Sequence, residues 1–217
     1  MNVKLIATTT PQIEGVKTAS DLIVYCARVS NPSNQLNTET GAKLLTYCIK
    51  NKHWSVFEQA DMTVEIKTSR AISAQILRHK SFSFQEFSQR YAAVSTLEPL
   101  EWRMQGKTNR QVGDTEAGLT PELASKVRDA QVSAQVVYND LVAAGVAKEC
   151  ARMVLPMNSS TTIYMKGTAR SWIHYFEVRC SEHTQKEHRD IALAIRDIFS
   201  AQFPCIAEAL GYTPAST

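Results

Sequence analysis

The sequence predicts an α+β fold in a single domain spanning residues 1–217. Two observations carry this expectation. Residues 61–67 and 160–166 alternate apolar and polar side chains as half-buried strands do, while much of the remainder spaces its apolar residues as helices do. Strands and helices also lack the regular alternation of a doubly wound α/β protein. No repeat, low-complexity tract or linker divides the chain.

Residues 3–8 read as a short opening strand, and 21–29 and 41–50 as helices, the second carrying Leu44, Leu45, Cys48 and Ile49 on one face. In 61–67, Met62, Val64 and Ile66 alternate with Asp61, Thr63, Glu65 and Lys67, the pattern of a strand with one buried face. Thr68 or Ser69 can cap a following helix that runs to about His79. Residues 104–119 are polar, contain Gly106, Gly113 and Gly118, and read as a flexible surface loop.

Thr120 and Pro121 then open a long helix as N-cap and first helical residue, and Gly145 stops it. Its stripe of Leu123, Val127, Ala130, Ala134, Val137 and Leu141 predicts packing against another helix. Residues 160–166 form the second clear strand, with Ile163 and Met165 on one face, and 168–179 a helix. A last helix turns Ile191, Ile195, Ile198 and Phe199 to one side.

Composition removes several classes. The net charge of +3, with 44% hydrophobic and 21% charged residues, is that of a folded globular protein and argues against disorder and bulk nucleic-acid binding. No apolar run approaches membrane-span length, and the N-terminal segment lacks signal-peptide features. Cys26, Cys48, Cys150, Cys180 and Cys205 are odd in number, scattered and free of any CxxC, so a reduced, cytoplasmic protein without a cysteine metal site is expected.

The most informative segment runs from Arg78 to Arg90. Arg78, His79 and Lys80 stand at a predicted helix end, where the dipole favours cations. Ser81, Ser83, Ser88 and Arg90 follow, and hydroxyls with a guanidinium fork suit a phosphate. Glu86 is the single acid. On chemistry alone, an anion site and a solvated helix end remain equal readings.

The order of these residues resembles the RHR-x7-S-x-R signature of the flavin-dependent thymidylate synthases, with Lys80 in place of the arginine at the third position of the motif. His53 to Glu58 resembles the family's H-x-[ST]-x-F-E segment, with Gln59 replacing the usual His. Ala151 to Pro156 resembles A-R-x-V-L-P, and Ala169-Arg170-Ser171, Val178-Arg179, His183, Gln185 and Glu187 resemble the C-terminal block. The likeness runs from about residue 40 to 205.

This resemblance implies a central, mainly antiparallel sheet flanked by long helices, and a homotetramer with active sites shared between subunits. It implies reductive methylation of dUMP to dTMP, with methylenetetrahydrofolate as carbon donor and NADPH-reduced FAD as hydride source. The dUMP positions carry over to Gln75, Ile76, Leu77, Arg78, Glu86, Phe87, Ser88, Gln89, Arg90, Arg152 and Arg179. Arg179 is the implied activating residue, favouring ionisation at uracil N3 in place of a cysteine nucleophile. The FAD positions carry over to His53, Ser55, Arg78, His79, Lys80, Glu86, Thr168, Ala169, Arg170 and His174. Thr168, His174 and Gln85 stand where the family commonly has Asn.

Three other readings are compatible with parts of the chain. His183 and His188 with Glu182 or Glu187 suggest a metal site, although their spacing does not align both rings on one helix face. Arg78, Lys80, Arg90 and Arg103 with Phe82, Phe84, Phe87, Tyr91 and Trp102 suggest a non-catalytic nucleic-acid module. A diverged flavoprotein that binds FAD and dUMP without full synthase activity stays within the resemblance.

Overall fold

The computed structural model describes residues 1–94, 96–106, 113–115 and 118–212. In chain order it contains β1 (Asn2–Thr8), α1 (Ala19–Ala27), α2 (Gly41–Lys50), β2 (Asp61–Ser69), α3 (Arg70–Ile76), β3 (Ser83–Glu86), β4 (Met104–Gln105), β5 (Gly113–Thr115) and α4 (Pro121–Ala143). α5 (Lys148–Ala151), β6 (Ser160–Thr168), α6 (Ala169–Arg179), α7 (Lys186–Gln202) and α8 (Pro204–Leu210) complete it.

The main sheet has the order β1-β2-β6-β3 and every neighbouring pair is antiparallel. The α+β expectation and its antiparallel sheet hold. One sheet face carries Met62, Val64, Ile66, Ile163 and Met165, all sealed from solvent. They pack with Ile23 and Val24 of α1, Leu45 of α2, Ile72 and Ile76 of α3, Trp172 and Phe176 of α6, and Ile195 and Phe199 of α7. The opposite face is wetter, with Tyr164 donating to Glu65 at 2.9 Å and Lys166 paired with Asp61 at 3.1 Å. Helices on one face of an antiparallel sheet bury one apolar side of each element.

Local chemistry explains most boundaries. Thr18 and Asp21 form a reciprocal capping box that starts α1 two residues ahead of expectation. Ser69, and not Thr68, caps α3 by accepting from the Ile72 amide. Thr68 stays in β2, pointing into the core. Thr168 caps α6 by accepting from the Ser171 amide.

Two expectations fail. The 83–86 segment, to which no element was assigned, is an edge strand on β6, and the helix expected to reach about His79 ends at Ile76. The α4 stripe is only partly covered among the described residues, with Val127, Ala134 and Leu141 half-buried but Leu123, Ala130 and Val137 exposed. Tyr138 is the buried residue of that helix, while Leu123, Val132, Val136 and Val137 are exposed. An apolar stripe at helical spacing shows that a face exists but does not name what covers it. Of the loop expected at 104–119, the described residues place Met104–Gln105 against Gly113–Thr115 as a short antiparallel pair, and residues 107–112 and 116–117 lie outside the described residues.

Gly167 positions the site's aromatic floor. A Cβ there would stand 2.4 Å from the Phe82 ring, so only glycine lets that ring cross β6. Phe82 thereby meets Trp172 with ring centroids 4.6 Å apart.

Candidate active site

The turn after α3, the end of β3 and the C-terminal half of α6 converge. Ser171 donates to the Ser81 carbonyl at 3.1 Å, tying the Arg78–Ser81 turn to the start of α6. At the other end of α6, Arg179 Nε donates to His79 Nε2 at 2.8 Å. The His79 ring lies edge-on to Tyr175 at 4.9 Å and His188 at 6.2 Å. Burial first, then the Arg179 charge and those of His174 and Arg78, push the His79 pKa down to about 4. His79 is therefore neutral near pH 7, and its bare Nε2 can accept from Arg179. Burial, partly offset by Tyr175, and then Arg78 lower the Arg179 pKa. An arginine nonetheless keeps its charge at neutral pH.

Glu86 closes β3. Its Oε1 is held by Arg70 Nη1 at 2.7 Å, Thr161 Oγ1 at 3.1 Å and the Ser73 hydroxyl. Three donors from two elements, α3 and β6, fix this carboxylate against the sheet edge. Phe87 leaves the strand with its amide donating to the Thr162 carbonyl at 2.8 Å. Ser88 and Arg90 follow on the surface, with Gln89 turned inward. Arg90 Nε meets Glu149 Oε2 at 2.9 Å, and Arg152 Nε donates to the Glu149 carbonyl at 3.3 Å. Two arginines 62 positions apart thus gather at one residue of α5. Ser88, Arg90 and Lys148 also line a cavity of about 370 Å³.

The predicted flavin residues fall around α6. Arg170 and His174 line a cavity of about 450 Å³ with Trp54, Glu58, Ser81 and Ser171. Arg170 is paired with Glu58, and His174 Nδ1 lies 3.6 Å from Glu177. His53 and Ser55 are exposed beside Trp54, the His53 ring edge-on to Tyr47 at 5.8 Å. Cationic, hydroxyl and flat aromatic groups around one opening suit the diphosphate and rings of a flavin nucleotide, and the cavity is in the range of ligand sites, roughly 300–1,000 Å³. The residues therefore fit the group.

Some predicted positions can act only through backbone or shape. Ile76 and Ala169 are wholly buried, and the Ala169 amide already donates to the Ala60 carbonyl at 2.9 Å. Thr168 spends its hydroxyl on the α6 cap. Leu77 is half-buried at the α3 end, while Arg78 and Lys80 are exposed.

The sequence reading missed the partners that orient these groups. Arg70, Ser73 and Thr161 around Glu86 come from distant segments and form no local motif. The Tyr175 hydroxyl lies 3.0 Å from His188 Nε2, and His188 Nδ1 meets Gln75 Oε1 at 3.2 Å. Both His188 nitrogens are thus engaged, which removes it from the metal reading. Among the described residues no cluster of three His, Cys, Asp or Glu suits a metal. Burial raises the thiol pKa of Cys26, Cys48 and Cys180, the opposite of an activated nucleophile.

An α+β protein with arginines at two cavities, a neutral histidine held by a third arginine, and no activated thiol among these three has the make-up of a nucleotide-binding enzyme. Comparison with known proteins makes this specific. Residues 5–205 match the family model described as thymidylate synthase complementing protein. The chain belongs to that family. It is 51% identical to a protein of Paramecium bursaria Chlorella virus 1 named probable flavin-dependent thymidylate synthase, over 98% of this chain and 100% of that one. It is 48% identical to the flavin-dependent thymidylate synthase of Synechocystis sp., over 97% and 99%. Among solved structures, it resembles the UMP/dUMP methylase PolB from Streptomyces cacaoi bound with 5-Br dUMP, with TM-score 0.78, 26% identity and coverage of 98% and 95%.

Proposed function

We propose that this chain, as one domain over residues 1–217, makes dTMP from dUMP with methylenetetrahydrofolate as carbon donor, FAD as cofactor and NADPH as reductant. The observation that carries the reading is the Arg179–His79 contact at 2.8 Å. It presents a charged, half-buried guanidinium beside a histidine that cannot compete as a second cation.

In this reading dUMP lies along the α3 end and the β3 end. Ser88, Arg90 and the neighbouring amides hold its phosphate, with Arg152 reaching the same anion from beyond α5. Charge-assisted hydrogen bonds give both strength and direction there. Gln75 to Arg78 and Glu86 to Gln89 enclose the nucleoside. Arg179 faces the uracil edge and stabilises negative charge as N3 gives up its proton to solvent. The ring becomes electron-rich, so C5 attacks the one-carbon unit without a protein nucleophile. A guanidinium is too weak a base to take the proton, so its role is electrostatic.

His53, Ser55, Arg78, His79, Lys80, Glu86, Thr168, Ala169, Arg170 and His174 would surround the FAD. When bound, FAD supplies the two-electron reduction that turns the transferred carbon into a methyl group. Arg170 must exchange Glu58 for a ligand phosphate, and His174 offers a ring donor from the same helix face. We infer a homotetramer with shared sites, supported by the exposed apolar face of α4 and by the open form of the cavities. The protein is proposed to work in the cytoplasm, which suits five free cysteines. Among the described residues no helix is long and apolar enough to cross a membrane.

The test is dTMP formation from dUMP and methylenetetrahydrofolate, with and without FAD and NADPH. FAD-dependent product supports the reading. FAD and dUMP binding without product under any reductant replaces it with the diverged flavoprotein.

A further inference from the structure

The hydrogen bonds around Gln75 have one consistent direction. Their fixed end is Glu187, to which Arg103 Nη2 donates at 2.5 Å. Burial opposes ionisation there, but hydrogen bonds from Arg103, its own backbone and Gln185 keep the carboxyl below its ordinary range. A carboxylate can only accept. Gln185 therefore turns Nε2 to Glu187 Oε2 at 3.0 Å, leaving its Oε1 to accept from Gln75 Nε2 at 2.6 Å. Gln75 Oε1 must then accept from His188 Nδ1 at 3.2 Å. His188 carries its proton on Nδ1 and takes the Tyr175 hydroxyl proton at Nε2, 3.0 Å away.

His188 is fully buried. Burial first, then the Arg179, His79 and Arg78 charges, push its pKa down to about 3, so the ring is neutral and holds one tautomer. Turning the Gln75 amide by half a turn would oppose acceptor to acceptor at Gln185 and donor to donor at His188. One Gln75 N–H is spent on Gln185 and one Oε1 lone pair on His188, so the relay fixes which end of the amide stands on which side and leaves the second N–H as its free donor. In the dUMP reading Gln75 stands near the base. Its partner His188 lies edge-on to His79, which accepts from Arg179.

We propose that His188 is a positioning residue for base selection: with Gln185 and Glu187 it holds the Gln75 carboxamide as a donor, so the site takes a pyrimidine presenting a carbonyl and refuses one presenting an amino group. This rests on the dUMP reading above. Uracil O4 accepts a hydrogen bond, whereas cytosine N4 can only donate at that edge. A donor facing a donor leaves both unpaired in a desolvated site, which discriminates more strongly than a missing apolar contact.

The experiment measures dUMP and dCMP dissociation constants by titration calorimetry on the FAD-loaded protein. The wild type prefers dUMP. His188→Leu frees the amide and lowers the dUMP-over-dCMP preference at least about tenfold, the scale of one mismatched hydrogen bond. His188→Asn, whose amide nitrogen can stand near the Nδ1 position, restores most of it. Gln185→Met cuts the link to the carboxylate at the edge of the core. His188 can then adopt either tautomer, and the preference falls as well. An unchanged ratio in Gln185→Met overturns the proposal, including where His188→Leu does not fold. Absence of dUMP binding in the wild type overturns the dUMP reading and this inference together, whereas wild-type binding with an unmoved ratio overturns the inference alone.

Discussion

Arg179 Nε donates to His79 Nε2 across 2.8 Å, joining the end of α6 to the turn after α3. The contact fixes the guanidinium plane without cancelling its charge, because a neutral imidazole is the acceptor. Arg179→Ala removes the charge and leaves His79 its aromatic packing on Tyr175. The fold should persist, with an unchanged circular dichroism spectrum. Turnover to dTMP should fall by about 10²–10³-fold, the usual loss of one preorganised electrostatic group. Near-normal turnover removes Arg179 from its role.

Glu149 competes for the proposed phosphate arginine. Its carboxylate pairs with Arg90 in an exposed bridge. Glu149→Gln should tighten dUMP binding by about two- to fivefold, in line with the 0.2–1 kcal/mol of exposed ion pairs. The effect should shrink in high salt. Calorimetry with dUMP in low and high salt measures both, and weaker binding would place the phosphate elsewhere.

Two neutral histidines set an acid limit on stability. The His188 pKa is lowered from 6.5 to about 3 and the His79 pKa from 6.5 to about 4. Their contribution is fully present above pH 6.5, because both states are then unprotonated. As pH falls below 6.5 the unfolded chain binds protons that the folded chain refuses. Stability therefore drops progressively toward pH 4, and for His188 toward pH 3, with a slope of at most about 1.4 kcal/mol per pH unit per group. Thermal melts from pH 8 to 4 should show this loss, and His188→Asn should flatten it. Equal slopes in both proteins would refute the assignment.

Gly167 is predicted to tolerate no side chain. Gly167→Ala forces the Phe82 ring, 2.4 Å from the new methyl, off β6 and away from Trp172. Overpacking of this kind costs about 1–3 kcal/mol. Denaturant titration should show that loss, and flavin binding should weaken because Ser81 follows the ring. An unchanged midpoint would mean that the turn adapts freely.

Much of this was legible in the residues themselves, and the failures have physical causes. β2 and β6 were readable because one face is buried and the other wet, which writes alternation into the residue order. α2 was readable from its apolar spacing, and a helix was expected at 168–179, where Thr168 proves to be the cap. β3 was not, since four residues with Phe84 as the lone large apolar side chain give no period, and the strand exists because β6 offers it an edge. The α4 face was visible, but its exposure was not, because spacing carries no record of the partner. In the site, the order from Arg78 to Arg90 was legible. The groups that orient it were not: Glu86 is held by Arg70, Ser73 and Thr161, and Gln75 by a histidine 113 positions away. Such contacts depend on how α3, α6 and α7 stack, which no local motif records.

The most direct measurement is the chromatographic assay of dTMP formed from dUMP and methylenetetrahydrofolate by the FAD-loaded protein with NADPH. The account predicts dTMP that requires FAD and that is lost in Arg179→Ala. A wild-type protein that binds both FAD and dUMP yet forms no dTMP with any reductant, or an Arg179→Ala protein that forms it at the normal rate, would contradict it.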